Sequence, residues 1–124
     1  MKRKGSEAER ELVQMLWGAG LGAVRVAGSG VSKFPCPDVV ASNGSRVLAI
    51  ECKSTKHRVK YIEPEQVSQL KKFAELFGAE PWFAVKFSTD WFFYKLKDLE
   101  KTKGGKFSIN LGKNNKRYLV DVVS

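Results

Sequence analysis

Cysteine and histidine are nearly absent from this 124-residue chain, which has two cysteines (Cys36 and Cys52) and one histidine (His57). That excludes a disulfide framework and a four-ligand Cys/His zinc site. Proline is sparse, with four residues, and there is no internal repeat or low-complexity tract, so linker-like and solenoid organisations drop out. No apolar run approaches the roughly 20 residues needed to cross a bilayer. The opening Met1-Lys2-Arg3-Lys4-Gly5-Ser6-Glu7 is basic but leads into charged residues, not into the apolar core of a signal peptide. Acidic residues are the remaining shortage: 13 Asp+Glu stand against 22 Lys+Arg, a formal +9 at pH 7.

What is present is ordinary for a globular protein, with 43% hydrophobic and 28% charged residues. The length suits one domain spanning residues 1–124, expected in the cytoplasm. Residues 1–60 carry a net +6 and residues 61–124 a net +3. A surplus of this sign draws polyanions, either nucleic acid or anionic lipid. A membrane-surface protein would need a basic amphipathic helix, which the chain lacks. Charge names a class of partner but no reaction.

The periodicity predicts a helix over residues 6–19, with Ser6 and Glu9 spaced as a capping box and Ala8, Leu12, Met15, Leu16 and Ala19 on one face. Residues 23–27 alternate as a strand does, and a flexible basic loop runs from Gly28 to Pro37. Asp38-Val39-Val40-Ala41 and Arg46 to Lys53 read as two strands joined by Asn43-Gly44, a strong hairpin signal. Residues 54–60 read as a basic connection. Pro64 suits the first turn of a helix that Gly78 stops after Phe77. Strands are expected at 82–87 and 91–94, a short helix at 96–101, and strands at 107–111 and 118–123. The order implies a mixed central β-sheet flanked by helices, α/β in class. Residues 1–95 form its core and 96–124 an extension of the same domain.

The chemistry is concentrated at Pro37-Asp38 and, after twelve intervening residues, Glu51-Cys52-Lys53. Residues two apart on a strand share a face, so Glu51 and Lys53 project together while Cys52 points into the core. The hairpin folds Asp38 back beside them. Two adjacent carboxylates raise one another's pKa unless a cation holds them. A hard divalent ion such as Mg²⁺ or Mn²⁺ meets that need. A Glu-x-Lys pair is often only a surface ion pair. Here it closes the most hydrophobic strand of the chain, where charge without a purpose is costly.

These residues resemble the signature of the PD-(D/E)XK, or restriction-endonuclease-like, nucleases. Arg3-Lys4-Gly5-Ser6, Glu9-Arg10-Glu11-Leu12, Val24-Arg25, Ala27-Gly28-Ser29, Lys53-Ser54, Phe73, Phe77-Gly78 and Ala84-Val85-Lys86 extend the likeness to the archaeal Holliday junction resolvases, over about residues 2–95. The resemblance implies a restriction-endonuclease-like fold and a metal site of Asp38, Glu51 and the Cys52 carbonyl, with Glu9 completing the acidic cluster. Lys53 would orient the attacking water and offset charge at the scissile phosphate. Ser29 matches the loop serine near that phosphate, although Ser32 competes because the stretch to Asp38 is long. Glu9 keeps its simpler reading as a capping-box glutamate.

The implied activity is Mg²⁺-dependent cleavage of four-way junction DNA, with Mn²⁺ able to substitute, in the cytoplasm at the nucleoid and without any small-molecule cofactor. Arg3, Lys4, Arg10, Arg25, Lys33, Lys56 and Arg58 are the expected phosphate contacts, with Arg10 and Arg25 foremost. A helix glutamine, Gln66, also matches related nucleases. Phe73 and Phe77 pack on the core by default, but the resemblance puts their helix at a two-fold interface, and a homodimer would present two identical sites to two symmetric strands. Four consecutive aromatics, Trp91 to Tyr94, put two rings on each face of a strand; one face covers the core and the other needs a partner, a DNA surface or burial under the tail, of which dimerisation is favoured. The alternatives are a nuclease of the same superfamily acting on flaps, ends or duplex, and a non-catalytic DNA-binding module.

Overall fold

The computed structural model describes residues 3–124. Helix α1 spans Arg3–Gly18, so Ser6 lies inside the helix and is not its cap. The Lys, Arg and Glu residues around it are good helix formers, and a lone Gly5 does not outweigh them. Strands follow at Gly22–Arg25 (β1), Val39–Ser42 (β2) and Val47–Thr55 (β3). The loop before β2 contains a 3-10 turn at Ser29–Val31.

Residues 54–60 are not a plain connection. β3 continues to Thr55 because its parallel neighbour reaches that far, and a further strand, β4, covers Val59–Ile62. Helix α2 occupies Pro64–Phe77, with Pro64 in its first turn and Gly78 in the left-handed region at its end, as expected. Strands β5 (Glu80–Phe87) and β6 (Asp90–Tyr94) come next. The expected helix at 96–101 shrinks to a 3-10 turn at Leu96–Asp98, followed by β7 (Glu100–Lys101) and then β8 (Phe107–Asn110). Residues 118–123 form a helix, α3 (Leu119–Val123), and not a strand. β-branched valines favour strand locally, but Leu119, Val122 and Val123 recur at helical spacing against the core, and Asp121 accepts the Tyr118 amide at 2.9 Å.

The main sheet runs β1-β2-β3-β5-β6, antiparallel throughout except for β3 and β5. One face packs Leu48, Ile50, Trp82, Ala84 and Phe93 against Leu12 and Leu16 of α1 and Val122 of α3. The other packs Ala49, Phe83, Val85, Phe92 and Tyr94 against Leu70 and Ala74 of α2, with Ile62 and Ile109 from the small β4-β8-β7 sheet.

The four aromatics of β6 therefore find cover on both faces within the chain. Phe93 is buried against α1 and α3, and Tyr118 meets Phe92 edge-on at 5.3 Å with the Lys116 ammonium 4.7 Å from the same ring. Arg117 pairs its backbone with Phe93 and its guanidinium with Asp98. Of the three covers expected for this strand's second face, burial under the tail is the one found, and the favoured cover by a second copy is not needed here. No helix among the described residues is long and apolar enough to cross a membrane.

Candidate active site

The start of β2, the second half of β3 and the loop before β2 build the site. The hairpin register places Val39 opposite Ile50, and one residue further out the Asp38 amide donates to the Ile50 carbonyl at 3.0 Å. Asp38 thereby comes to Glu51. Its Oδ2 accepts the Cys52 amide at 2.8 Å and its Oδ1 accepts the Ser29 hydroxyl at 2.9 Å. The Lys53 ammonium stands 3.8 Å from Glu51, on the same side of β3. Cys52 faces the α1 core as expected, and burial pushes its thiol pKa far up, so it is no reactive thiolate.

Asp38 and Glu51 line a cavity of about 140 Å³ with Ser29, Cys36, Gln66, Gln69 and Leu70. Ser29 is the serine brought to the acids. Ser32 is turned to the loop itself, accepting the Phe34 amide at 3.1 Å with Cys36 Sγ 3.6 Å away.

Burial comes first among the forces on Glu51 and the charge of Asp38 second. Together they outweigh Lys53 and push its pKa up to about 8. Glu51 thus holds a proton at neutral pH unless a cation offsets the second charge. Glu9 is raised as well, chiefly by burial and then by Asp38, so it lies within electrostatic reach of the pair. Its carboxylate is nevertheless turned to Arg25, whose Nε donates at 3.1 Å. Among the described residues no three Asp, Glu, His or Cys side chains are gathered as one ligand set. The pair is Asp38 and Glu51, with Glu9 held beside it.

Of the expected DNA contacts, Arg10, Lys33, Lys56 and Arg58 are exposed, as is Arg25 apart from its bond to Glu9. Arg3 and Lys4 lie outside the residues whose side chains are described. His57 is exposed in the β3–β4 turn. Phe73 and Phe77 stack at 4.8 Å on α2; Phe73 leans on the core, while Phe77 is 54% and Leu76 81% exposed.

Sequence reasoning missed several residues around the site. Cys36 and Gln69 reach the cavity only because the loop and α2 dock across the end of β3. Lys60 is half-buried, and burial together with the charge of Lys53 lowers its pKa. Glu11 accepts both Lys86 Nζ at 2.6 Å and Trp91 Nε1 at 3.1 Å, tying α1 to the far strands beside a second cleft lined by Ser54, Thr55 and Lys56.

Residues 1–123 match the model of the archaeal Holliday junction resolvase (Hjc) family. The chain belongs to this family. It is 50% identical over 104 residues to the crossover junction endodeoxyribonuclease Hjc of Archaeoglobus fulgidus, covering 83% of this chain and 76% of that protein. The Hjc of Methanocaldococcus jannaschii is 34% identical over 120 residues, 96% of this chain and 77% of the relative. The solved structure of the Archaeoglobus fulgidus Hjc, a Holliday junction resolvase from an archaeal hyperthermophile, matches with a TM-score of 0.87 at 41% identity, over 96% of this chain and 99% of that one. The expected restriction-endonuclease-like fold is borne out. Membership makes the protein a nuclease and implies a divalent metal cofactor.

The donors present suit such an ion. Asp38 and Glu51 offer hard oxygens, and a cation between them would relieve the repulsion that keeps Glu51 protonated. Cys52 offers no sulfur to the site, since its side chain points into the core.

Proposed function

We propose that this protein, acting as one nuclease domain per chain in a homodimer, hydrolyses phosphodiester bonds in four-way DNA junctions using Mg²⁺, with Mn²⁺ able to replace it. The observation that carries this reading is the meeting of Asp38 and Glu51 at one cavity, with Lys53 3.8 Å from Glu51 and Ser29 bonded to Asp38. A surface ion pair has no need of a second buried acid, and a pure backbone binder has no need of acids facing phosphate.

Asp38, Glu51 and the Cys52 carbonyl would hold the ion, with Glu9 as a further carboxylate. When bound, a divalent ion lowers the pKa of water and stabilises charge on the phosphate and the leaving oxygen. The protein's own groups do the rest. Lys53 orients the attacking water and neutralises charge beside the scissile phosphate. Ser29, held beside the site by the hydrogen bond it donates to Asp38, would turn that single hydroxyl proton to a phosphate oxygen once Asp38 holds the ion. Arg10, Arg25, Lys33, Lys56 and Arg58 hold flanking phosphates, as the +9 charge favours.

Dimerisation is supported by the apolar surface that Leu76 and Phe77 leave open on α2, with Phe73 stacked on Phe77 and leaning on the core. Two copies related by symmetry would offer paired sites to paired strands. Such a protein would work in the cytoplasm at the nucleoid.

The test is incubation with a synthetic four-way junction, a flap and matched duplex, each with and without Mg²⁺. Metal-dependent, junction-preferring cuts on opposed strands are expected. Absence of metal-dependent cleavage would sink the nuclease mechanism, and equal cutting of all three substrates would remove the junction preference.

A further inference from the structure

The loop between β1 and β2 carries two large apolar side chains with almost nothing over them: Val31 is 85% and Phe34 75% exposed. The loop is tied down at several points. The Val31 amide donates to Gly28 at 3.1 Å, with Gly28 in the left-handed region at φ +70°, where a side chain would be strained. The Phe34 amide donates to Ser32 Oγ, and the Val26 amide donates to the Asp38 carbonyl at 2.9 Å, closing the base of the loop. Pro35 and buried Pro37 restrict the return. Ser29 and Cys36, on either side of Val31 and Phe34, both line the cavity that holds Asp38 and Glu51. The apolar tips therefore lie on the loop segment joining two lining residues of the catalytic cavity, the loop side of its mouth, with exposed Lys33 between them.

An occupant of this mouth must offer a flat apolar face to Phe34, tolerate the cation of Lys33, and lead into the cavity. Two exposed residues on a loop do not make a membrane-binding surface, and a second copy already has the exposed Leu76 and Phe77 of α2 to use. The DNA strand being cut meets all three requirements. In continuous duplex every base face is covered by its neighbours. At a branch point stacking is interrupted, and base faces become available to an aromatic ring.

We infer that Phe34, flanked by Val31, is a stacking platform for a base at the branch point, and that this loop is where branched DNA is told from continuous duplex. The inference rests on the junction-nuclease reading above. It also links recognition to chemistry, because the residue that positions the phosphate, Ser29, belongs to the same tied loop.

The experiment uses the full chain and a four-way junction with 2-aminopurine at the branch point, together with matched duplex. Wild type is expected to change the 2-aminopurine fluorescence on binding without metal and to cut once Mg²⁺ is added. Phe34→Ala should lose the fluorescence change and lower kcat/KM on the junction by roughly 5- to 100-fold, with a smaller loss on duplex. Phe34→Trp should restore both signals, and Phe34→Leu, which keeps bulk without a flat ring, should restore neither.

Leucine rescuing as well as tryptophan would overturn the stacking role. So would a Phe34→Ala protein that cuts junctions like wild type, one whose melting temperature alone falls and is recovered by leucine, or one that turns monomeric. Wild type that neither binds nor cuts the junction would defeat the underlying reading. Wild-type activity with an unaffected Phe34→Ala variant would defeat the loop inference alone.

Discussion

Arg25, on β1, closes a hydrogen-bonded ion pair with Glu9 on α1, across sixteen positions of sequence. The expected DNA contact is thus the counter-ion of the expected third carboxylate. A phosphate that takes Arg25 would free Glu9 for the metal, so that substrate and ion favour one another.

Arg25→Ala is therefore expected to weaken junction binding and reduce the salt slope of affinity by about one phosphate contact. The ion pair is partly exposed, so the melting temperature should move little. The same variant should need less Mg²⁺ for half its metal-induced thermal shift, because Glu9 is already released. Salt-titrated binding and a thermal-shift titration check both; an unchanged salt slope would speak against Arg25 as a phosphate contact.

Asp38 accepts two donors at once, the Cys52 amide and the Ser29 hydroxyl. Asp38→Asn retains one acceptor oxygen and turns an NH₂ toward the other donor. Junction cleavage should fall by at least about 100-fold while junction binding persists, since the carboxylate attracts no DNA. Single-turnover cleavage beside a gel-shift measurement separates the two effects.

Glu51 supplies a pH signature. Its folded pKa of about 8 lies above its unfolded value near 4.5. The folded state therefore binds the extra proton, and the stability linked to it is full below pH 4.5 and is lost as pH rises to about 8. Glu51→Gln keeps a neutral side chain at every pH. Without metal it should melt well above wild type at pH 8, by on the order of 4 kcal/mol, with the gap closing by pH 4.5. Millimolar Mg²⁺ should raise the melting temperature of wild type at pH 8 and leave the variant nearly unmoved. Scanning calorimetry across this range is decisive: a pH-independent gap would contradict a buried, protonated Glu51.

On α2, Leu76→Asp and Phe77→Asp should yield monomers in sedimentation velocity with little loss of fold stability, because both side chains are largely exposed. Junction nicks by such monomers should lose their pairing on opposed strands. A dimer that survives both substitutions would move the interface elsewhere.

Local signals made the hairpin legible: Asn43-Gly44 and the alternation of Glu51, Cys52 and Lys53 were enough to bring Asp38 to its partners. Where two local patterns competed, sequence reading erred. Ser6 and Glu9 match a capping box, yet the helix starts earlier and Glu9 serves Arg25. Valine-rich 118–123 suggests a strand, but its apolar residues meet the core only as a helix. Cys36 and Gln69 were illegible as site residues, because only the docking of the loop and α2 over β3 brings them to the cavity. For the Trp91–Tyr94 run a second copy was favoured over the C-terminal tail as cover, and the tail is what supplies it.

The turn at Asn43-Gly44 bears on this protein's tolerance to change. Asn43 Oδ1 accepts the amides of both Ser45 and Arg46, and Gly44 lies at φ +95°. No residue of that turn lines the candidate cavity, yet its length sets which residue of β3 lies opposite Asp38. One inserted residue that shifted the register would turn Glu51 and Lys53 toward the α1 core and bring Cys52 round to the acids, leaving every functional side chain in the chain and none in place. The hairpin tip is the gauge that spaces the site, so it should accept changes of composition far more readily than changes of length.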